Sequence, residues 1–283
     1  MKKRIFAVAL LFGVAGIVAF GAEKDARLYE LRTYFAAPGK LEELHARFRN
    51  YTAKLCEKHG MFNIGYWVPV ENPDNALIYI LAYPSPDARE RSWKAFQADP
   101  EWVAIQEASE RNGKLVARLS TMYLQVTDYS PEIKPANAGK QRVFELRSYT
   151  AASGKLAPLN ARFRDHTVGL LEKHRITNVG YWNLSKVQPR LVSSPPTITP
   201  SPLVTLLFAL QGPGMSNKEL IDKTLVYIVA HESKEAAEKS YSEFRSDPEW
   251  ISVQKESERK GALIVQGGVK SLFMVATDYS PIK

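Results

Sequence analysis

Hydrophobic and polar positions alternate from Leu28 to Tyr34, the period of a strand. Tyr29, Leu31 and Thr33 share one face; Leu28, Glu30, Arg32 and Tyr34 share the other. Pro38-Gly39 breaks the alternation and the period lengthens. Leu41, Leu44, Phe48, Thr52, Leu55 and His59 then fall on one side of an amphipathic helix of about twenty residues. Two runs rich in β-branched and aromatic residues follow, Ile64 to Val70 and Leu77 to Tyr83, and Glu71-Asn72-Pro73-Asp74-Asn75 between them predicts a hairpin. Arg89 to Ala98 reads as helix. Asp99 is placed to cap the next one, with Pro100 at the first helical position, where a missing N–H does no harm. Gly113 ends that helix, and Leu115 to Thr127 supplies a last strand. The order β-α-β-β-α-β is that of a ferredoxin-like unit.

The pattern then repeats. Residues 29–67 align without gaps on 144–182, with 23 of 39 positions identical, and residues 77–113 align on 225–261. Asp99-Pro100-Glu101-Trp102 returns as Asp247-Pro248-Glu249-Trp250, and both units close on the same five residues, Thr127 to Pro131 and Thr277 to Pro281. The alignment offset changes from 115 to 148, so the second unit carries an insertion of 33 residues. A period this long is a domain duplication rather than a solenoid. The chain divides into a first unit over 26–131, a linker over 132–142 and a second unit over 143–283, whose hairpin holds the insertion at about 184–222. That insertion is rich in Pro, Ser and Thr, a composition that favours extended chain, but it includes the apolar run Leu203 to Leu210. The run is too short to span a membrane and is expected to cap a barrel mouth, to bind a partner or to remain a loop.

A four-stranded sheet covered by helices on one side leaves its other side bare. Two such units in one chain predict an α+β fold, an intrachain barrel in which the bare faces bury each other, either as a monomeric pseudo-dimer or as part of a larger homo-oligomer. The apolar set of the first strand is expected under the helices. Glu30, Arg32 and Tyr34, with Glu145, Arg147 and Tyr149, are expected in the space between the sheets.

Composition changes the picture at the N-terminus. Lys2, Lys3 and Arg4 precede an uncharged apolar run from Ile5 to Phe20, and Ala19-Phe20-Gly21 has the small-x-small spacing of a signal-peptidase site. Residues 1–21 therefore read as a signal peptide, and the protein as periplasmic or secreted. An uncleaved membrane anchor is the alternative, although sixteen helical residues reach only roughly 24 Å across a bilayer core of about 30 Å. Cleavage lowers the formal net charge from +8 to +5, and the remaining cations are interleaved with acids. Nucleic acid is not an expected partner, nor is a stable membrane span after cleavage. One cysteine, Cys56, excludes an intramolecular disulfide framework.

The strand Tyr29-Glu30-Leu31-Arg32-Thr33-Tyr34, the helix end Glu57-Lys58-His59, the strand Gly65-Tyr66-Trp67 and the Asp-Pro-Glu-Trp helix start resemble the NIPSNAP family, in two copies that cover nearly the whole mature chain. The resemblance implies a dimeric α/β-barrel fold, here formed by tandem domains. The family includes mitochondrial proteins linked to vesicle traffic and mitophagy, and many bacterial members have no assigned activity. The broader barrel superfamily includes cofactor-independent monooxygenases and haem-degrading enzymes. The export signal departs from the mitochondrial members, so a role in mitophagy does not carry over.

The candidate site is Glu30, Arg32 and Tyr34 with Glu145, Arg147 and Tyr149. Arg beside Glu in an enclosed cavity suits a carboxylate or an enolised carbonyl, with Tyr as hydrogen-bond donor. A buried ion pair that only fixes the sheets is the competing reading. Trp67, Tyr79, Trp182 and Tyr227 join the ligand-binding set if they face the same cavity, where they suit a flat ligand. Arg32, Arg147 and His231 are the catalytic candidates; His231 replaces Tyr83 in the repeat and gives the second unit a potential base. His59 and His174 end the long helices, where interaction with the helix C-terminus competes with haem ligation. No metal site and no cofactor are expected, with haem as the alternative. The leading expectation is an exported protein that binds a small anionic or aromatic molecule. A cofactor-independent or haem-linked monooxygenase or isomerase comes second, and a protein-interaction scaffold third.

Overall fold

The computed structural model describes residues 25–137, 139, 141–188, 201–203, 205–206 and 215–283. The signal-peptide segment and most of the insertion lie outside the described residues. Each half contributes four strands: β1 (Leu28–Ala36), β2 (Phe62–Pro69), β3 (Ala76–Tyr83) and β4 (Val116–Val126), then β5 (Val143–Ala151), β6 (Thr177–Leu184), β7 (Thr224–His231) and β8 (Ile264–Ala276). Between β1 and β2 runs the long helix, as Leu41–Arg47, a π-helical turn Phe48–Thr52, and Ala53–Lys58. Between β3 and β4 lie Pro86–Ala98 and Pro100–Ser109. Ser85 and Asp99 cap these helices by accepting from the N–H groups of Ala88 and Glu101. Equivalent helices occupy the second half.

The strands close into one eight-stranded antiparallel barrel in the order β1-β3-β2-β8-β5-β7-β6-β4. Within each half the ladders are long; β1 and β3 pair from Leu28↔Tyr83 to Phe35↔Ala76. The two seams between halves are short. Trp67↔Ala276, Val68↔Val275 and Pro69↔Met274 make one, and Leu124↔Leu184, Gln125↔Asn183 and Val126↔Trp182 the other. Among the described residues no helix is long and apolar enough to cross a membrane.

The barrel corrects the expected assignment of strand faces. Tyr29 and Leu31 point into the lumen, where they form one buried cluster with Ile80, Phe144, Leu146 and Trp182. Glu30, Arg32 and Tyr34 point outward, under the helices. A closed eight-stranded barrel has an interior just wide enough to be filled by side chains, and a charge there would lose its water without gaining partners. The helix side supplies those partners. Trp67 and Trp182, expected in a ligand cavity, pack inside the lumen, 5.8 Å ring to ring from Phe144 and Tyr29 respectively.

Each Trp lies over the glycine two residues before it. A Cβ on Gly65 would sit 2.1 Å from Trp67 Cη2, and one on Gly180 would sit 2.4 Å from Trp182 Cη2. Gly65→Ala must displace a fully buried indole, and overpacking of this kind costs about 1–3 kcal/mol. A lowered urea midpoint with a red-shifted tryptophan emission is the expected result; an unchanged midpoint would show that the lumen yields.

Both long helices carry the π turn at the same place, and Thr52 and Thr167 hydroxyls bond the Arg47 and Arg162 carbonyls five residues back. The repeated closing pentapeptide is a latch between halves. Thr277 N–H bonds Tyr66 O, Ser280 Oγ accepts from Tyr66 N–H, and Tyr279 packs on Phe48 and Tyr66. Its counterpart, Ser130 with Tyr129, does the same to Tyr181 and Phe163. Of the insertion's apolar run, Leu203 and Leu206 are buried with the lumen cluster, and Ser201 bonds Asp74 of the β2–β3 turn. This part of the run therefore covers a barrel end.

Candidate functional site

The charged face of β1 is roofed by the long helix and by Pro86–Ala98. Glu30 and Arg32 lie two apart on one strand face, and Arg32 Nη1 donates to Glu30 Oε1 at 2.7 Å. Arg32 Nε donates to the Tyr79 hydroxyl at 2.8 Å and Nη2 to the Tyr34 hydroxyl at 3.1 Å, while its guanidinium lies 4.4 Å from the Trp93 ring centre. Glu30 is completely buried and saturated. Besides Arg32 it accepts from Tyr83 at 2.7 Å, from Trp93 Nε1 at 3.0 Å, and from Arg89 at 2.8 and 3.3 Å. Burial alone would raise its pKa, but Arg32 and Arg89 hold the carboxyl below the usual range. Burial likewise opposes the Arg32 charge, and the surrounding Tyr and Glu groups outweigh it, so Arg32 stays cationic.

Arg32 lines a cavity of about 470 Å³ between sheet and helices. Tyr34, Phe48, Tyr79, Trp93, Phe96 and Trp102 give it aromatic walls. Its polar lining holds Arg32, Arg47 and Lys114 against the single carboxylate of Glu110, which Arg47 binds at 2.9 Å. Three of the five Arg32 N–H groups bond protein, leaving two for another acceptor. The π turn contributes Phe48 and Thr52 to the wall. Cys56 also lines this cavity; burial pushes its thiol up to about 12, which leaves it an unreactive thiol.

The second half repeats the constellation in altered form. Arg147 bonds Glu145 at 2.5 Å and Tyr149 at 3.4 Å, and lies 4.8 Å from the Tyr241 ring centre. His231, in the place of Tyr83, approaches Glu145 at 3.3 Å. Burial would raise the Glu145 pKa, and His231 with Arg147 brings it below the usual range. Tyr227 packs beside this group and stacks on Tyr181 at 5.2 Å.

His59 and His174 serve a different purpose. Each Nε2 meets the aspartate that caps the following helix, Asp99 at 2.7 Å and Asp247 at 2.8 Å, instead of the helix carbonyls. They tie the end of each long helix to the start of Pro100–Ser109 or Pro248–Ser257. Among the described residues no three His, Cys, Asp or Glu side chains gather as a metal-binding group.

Sequence reasoning thus singled out Glu30, Arg32, Tyr34 and Tyr79, which the fold brings together. It placed Trp67 and Trp182 with them, which the fold does not, and it missed Tyr83, Arg89, Trp93 and Arg47. The signal that was available is charge demand: a strand Glu–Arg pair facing a helix needs donors there, and Arg89 and Trp93, four apart on the roofing helix, supply them.

These features define a class: an α/β barrel of two ferredoxin-like halves with a polar box outside the lumen of each. Residues 29–131 match the NIPSNAP family model, and the sequence pattern of that stretch repeats in the second half. An uncharacterized NIPSNAP domain protein from Burkholderia xenovorans is 20% identical with a TM-score of 0.33, the match covering 37% of this chain and 99% of that one. A NIPSNAP family protein from Agrobacterium tumefaciens is 25% identical with a TM-score of 0.34, over 37% of this chain and 97% of its own. A putative monooxygenase from Lactobacillus acidophilus matches across both halves, 90% of this chain and 98% of its own, at 8% identity and a TM-score of 0.48. No curated protein matches the chain.

Proposed function

We propose that the protein binds a small aromatic anion in the first-half cavity, under the helices and not between the sheets. The observation that carries this reading is the joining of aromatic walls to a cation excess around Arg32, whose spare N–H groups suit a carboxylate or phenolate. The basic, apolar N-terminus supports an exported protein, so the ligand is one met outside the cytoplasm.

Leu119 lines the cavity and is 53% exposed, so a larger side chain there fills the mouth without entering a core. Calorimetric titration of the mature chain with benzoate is expected to give saturable binding that Leu119→Trp abolishes while the unfolding midpoint stays put. Absence of benzoate binding in the wild type, or equal binding in the variant, would overturn the assignment.

A further inference from the structure

The rings that wall the first-half cavity form a row with a cation at each end. Arg32 lies 4.4 Å from the Trp93 ring centre. Trp93 lies 5.4 Å from Phe96, and Phe96 lies 4.6 Å from Trp102. The Arg47 guanidinium closes the row, 5.2 Å from the Trp102 ring centre. Glu110, which Arg47 binds at 2.9 Å, also accepts from the N–H of Leu115 at 3.5 Å, and this brings Lys114 to the same end of the cavity that it lines.

The charges at the two ends differ in standing. Arg47 with Glu110 is common to both halves, since Arg162 makes the same contacts to Ser257, Glu258 and the Trp250 ring. That neutral pair packs the long helix onto the end of Pro100–Ser109. Lys114 belongs to the first half alone; Ala262 stands in its place in the second. Lys114 is exposed, and among the described residues no acid pairs with it. Arg32, at the other end, is 7% exposed and shares the Glu30 charge with Arg89, and two of its N–H groups are spare. A ligand with a single anionic group on Arg32 would leave Lys114 without a counter-ion.

We propose that the ligand of this cavity is an aromatic dicarboxylate, with one carboxylate on Arg32 at the buried end, the other on Lys114 at the exposed end, and its ring along the row between them. The inference rests on the reading of the cavity as an anion site and names the class of anion. Carboxylates suit both ends, because a guanidinium offers N–H groups in a fixed fork and an ammonium is a point charge that accepts many directions of approach. Offset and edge-to-face contacts with Trp93, Phe96 and Trp102 hold the flat body of the molecule. An aliphatic diacid would meet the same two cations and gain nothing from the rings.

The test is calorimetric titration of the mature chain with benzoate, adipate, phthalate, isophthalate, terephthalate and the biphenyl homologue of terephthalate. The aromatic diacids vary the spacing of the carboxylates, and adipate lacks the ring. The expected result is an aromatic diacid that binds about tenfold more tightly than benzoate, the gain from one added charge-assisted contact, with adipate weaker than that diacid. Lys114→Met keeps the stem and removes the charge, and should bring the ratio of diacid to benzoate affinity close to one; Lys114→Arg should restore it. Added salt should weaken the diacid more steeply than benzoate. Benzoate binding with no diacid tighter, a ratio that survives Lys114→Met, or adipate matching the best aromatic diacid would overturn the dicarboxylate and leave the single-anion site standing. No binding of benzoate or of any diacid would overturn both.

Discussion

Glu30→Ala is expected to lower unfolding free energy by about 3–5 kcal/mol, the cost of breaking a buried ion pair from one side. The substitution leaves Arg32 and Arg89, with side chains 9% and 15% exposed, facing each other with no anion between them. Tyr83 and Trp93 lose their acceptor as well. Glu145→Ala should cost less, because among the described residues Arg147 is the only guanidinium paired with Glu145. Urea unfolding of the two variants measures the difference, and equal losses would show that Arg89 contributes little. The same carboxylate gives a pH dependence. Its folded pKa lies below the ordinary 4.5, so the ionised form favours the folded state. That stabilisation is complete above about pH 4.5 and declines as pH falls through the folded value. Glu30→Ala should therefore flatten the acid limb of the stability profile, and a limb of unchanged slope would assign acid sensitivity to other carboxylates.

The second large effect is expected at the latch. Tyr279 stands 5.3 Å from the Tyr66 ring, and its hydroxyl meets His45 Nδ1 at 2.8 Å, all across the boundary between halves. Tyr279→Ala removes a half-buried aromatic and should cost about 2–4 kcal/mol. Only three registered pairs join β2 to β8, so the loss is concentrated there. Hydrogen exchange should quicken at Tyr66 and Val70, whose N–H groups bond Ser280 Oγ and Phe273 O, before it quickens in β1 or β3. Uniformly faster exchange would mean that the barrel opens as one unit. Asp278→Ala, which breaks an exposed pair with Arg49, is the control and should cost less than about 1 kcal/mol.

The element order, the duplication, the hairpins and the Asp99 and Asp247 caps were legible in the chain because each depends on local spacing. The faces of β1 were not. Every residue from Leu28 to Thr33 is buried, so alternation there separates two interiors, a dry lumen and a polar sheet–helix layer, and not an inside from an outside. Choosing between them requires knowing that Arg89 and Trp93 come to Glu30 from more than fifty residues away. The Gly65-x-Trp67 and Gly180-x-Trp182 spacings did mark the lumen side, since a bulky ring folded back over its own strand needs a residue without Cβ. The π turns left no periodic trace, because one widened turn shifts the phase of an eighteen-residue helix only slightly.

The short seams have an evolutionary consequence. Three registered residue pairs and a latch at each junction would make a barrel of two separate chains sensitive to dilution, whereas the linker over 132–142 sets an effective concentration on the order of millimolar. Folding of this protein should accordingly be unimolecular, with no dependence of its midpoint on protein concentration. Joining also frees the copies from each other. In a symmetric pair one mutation appears in both sites at once; here His231 and Ala237 stand in one half where Tyr83 and Arg89 stand in the other. One box can thus conserve the scaffold while its twin explores new chemistry.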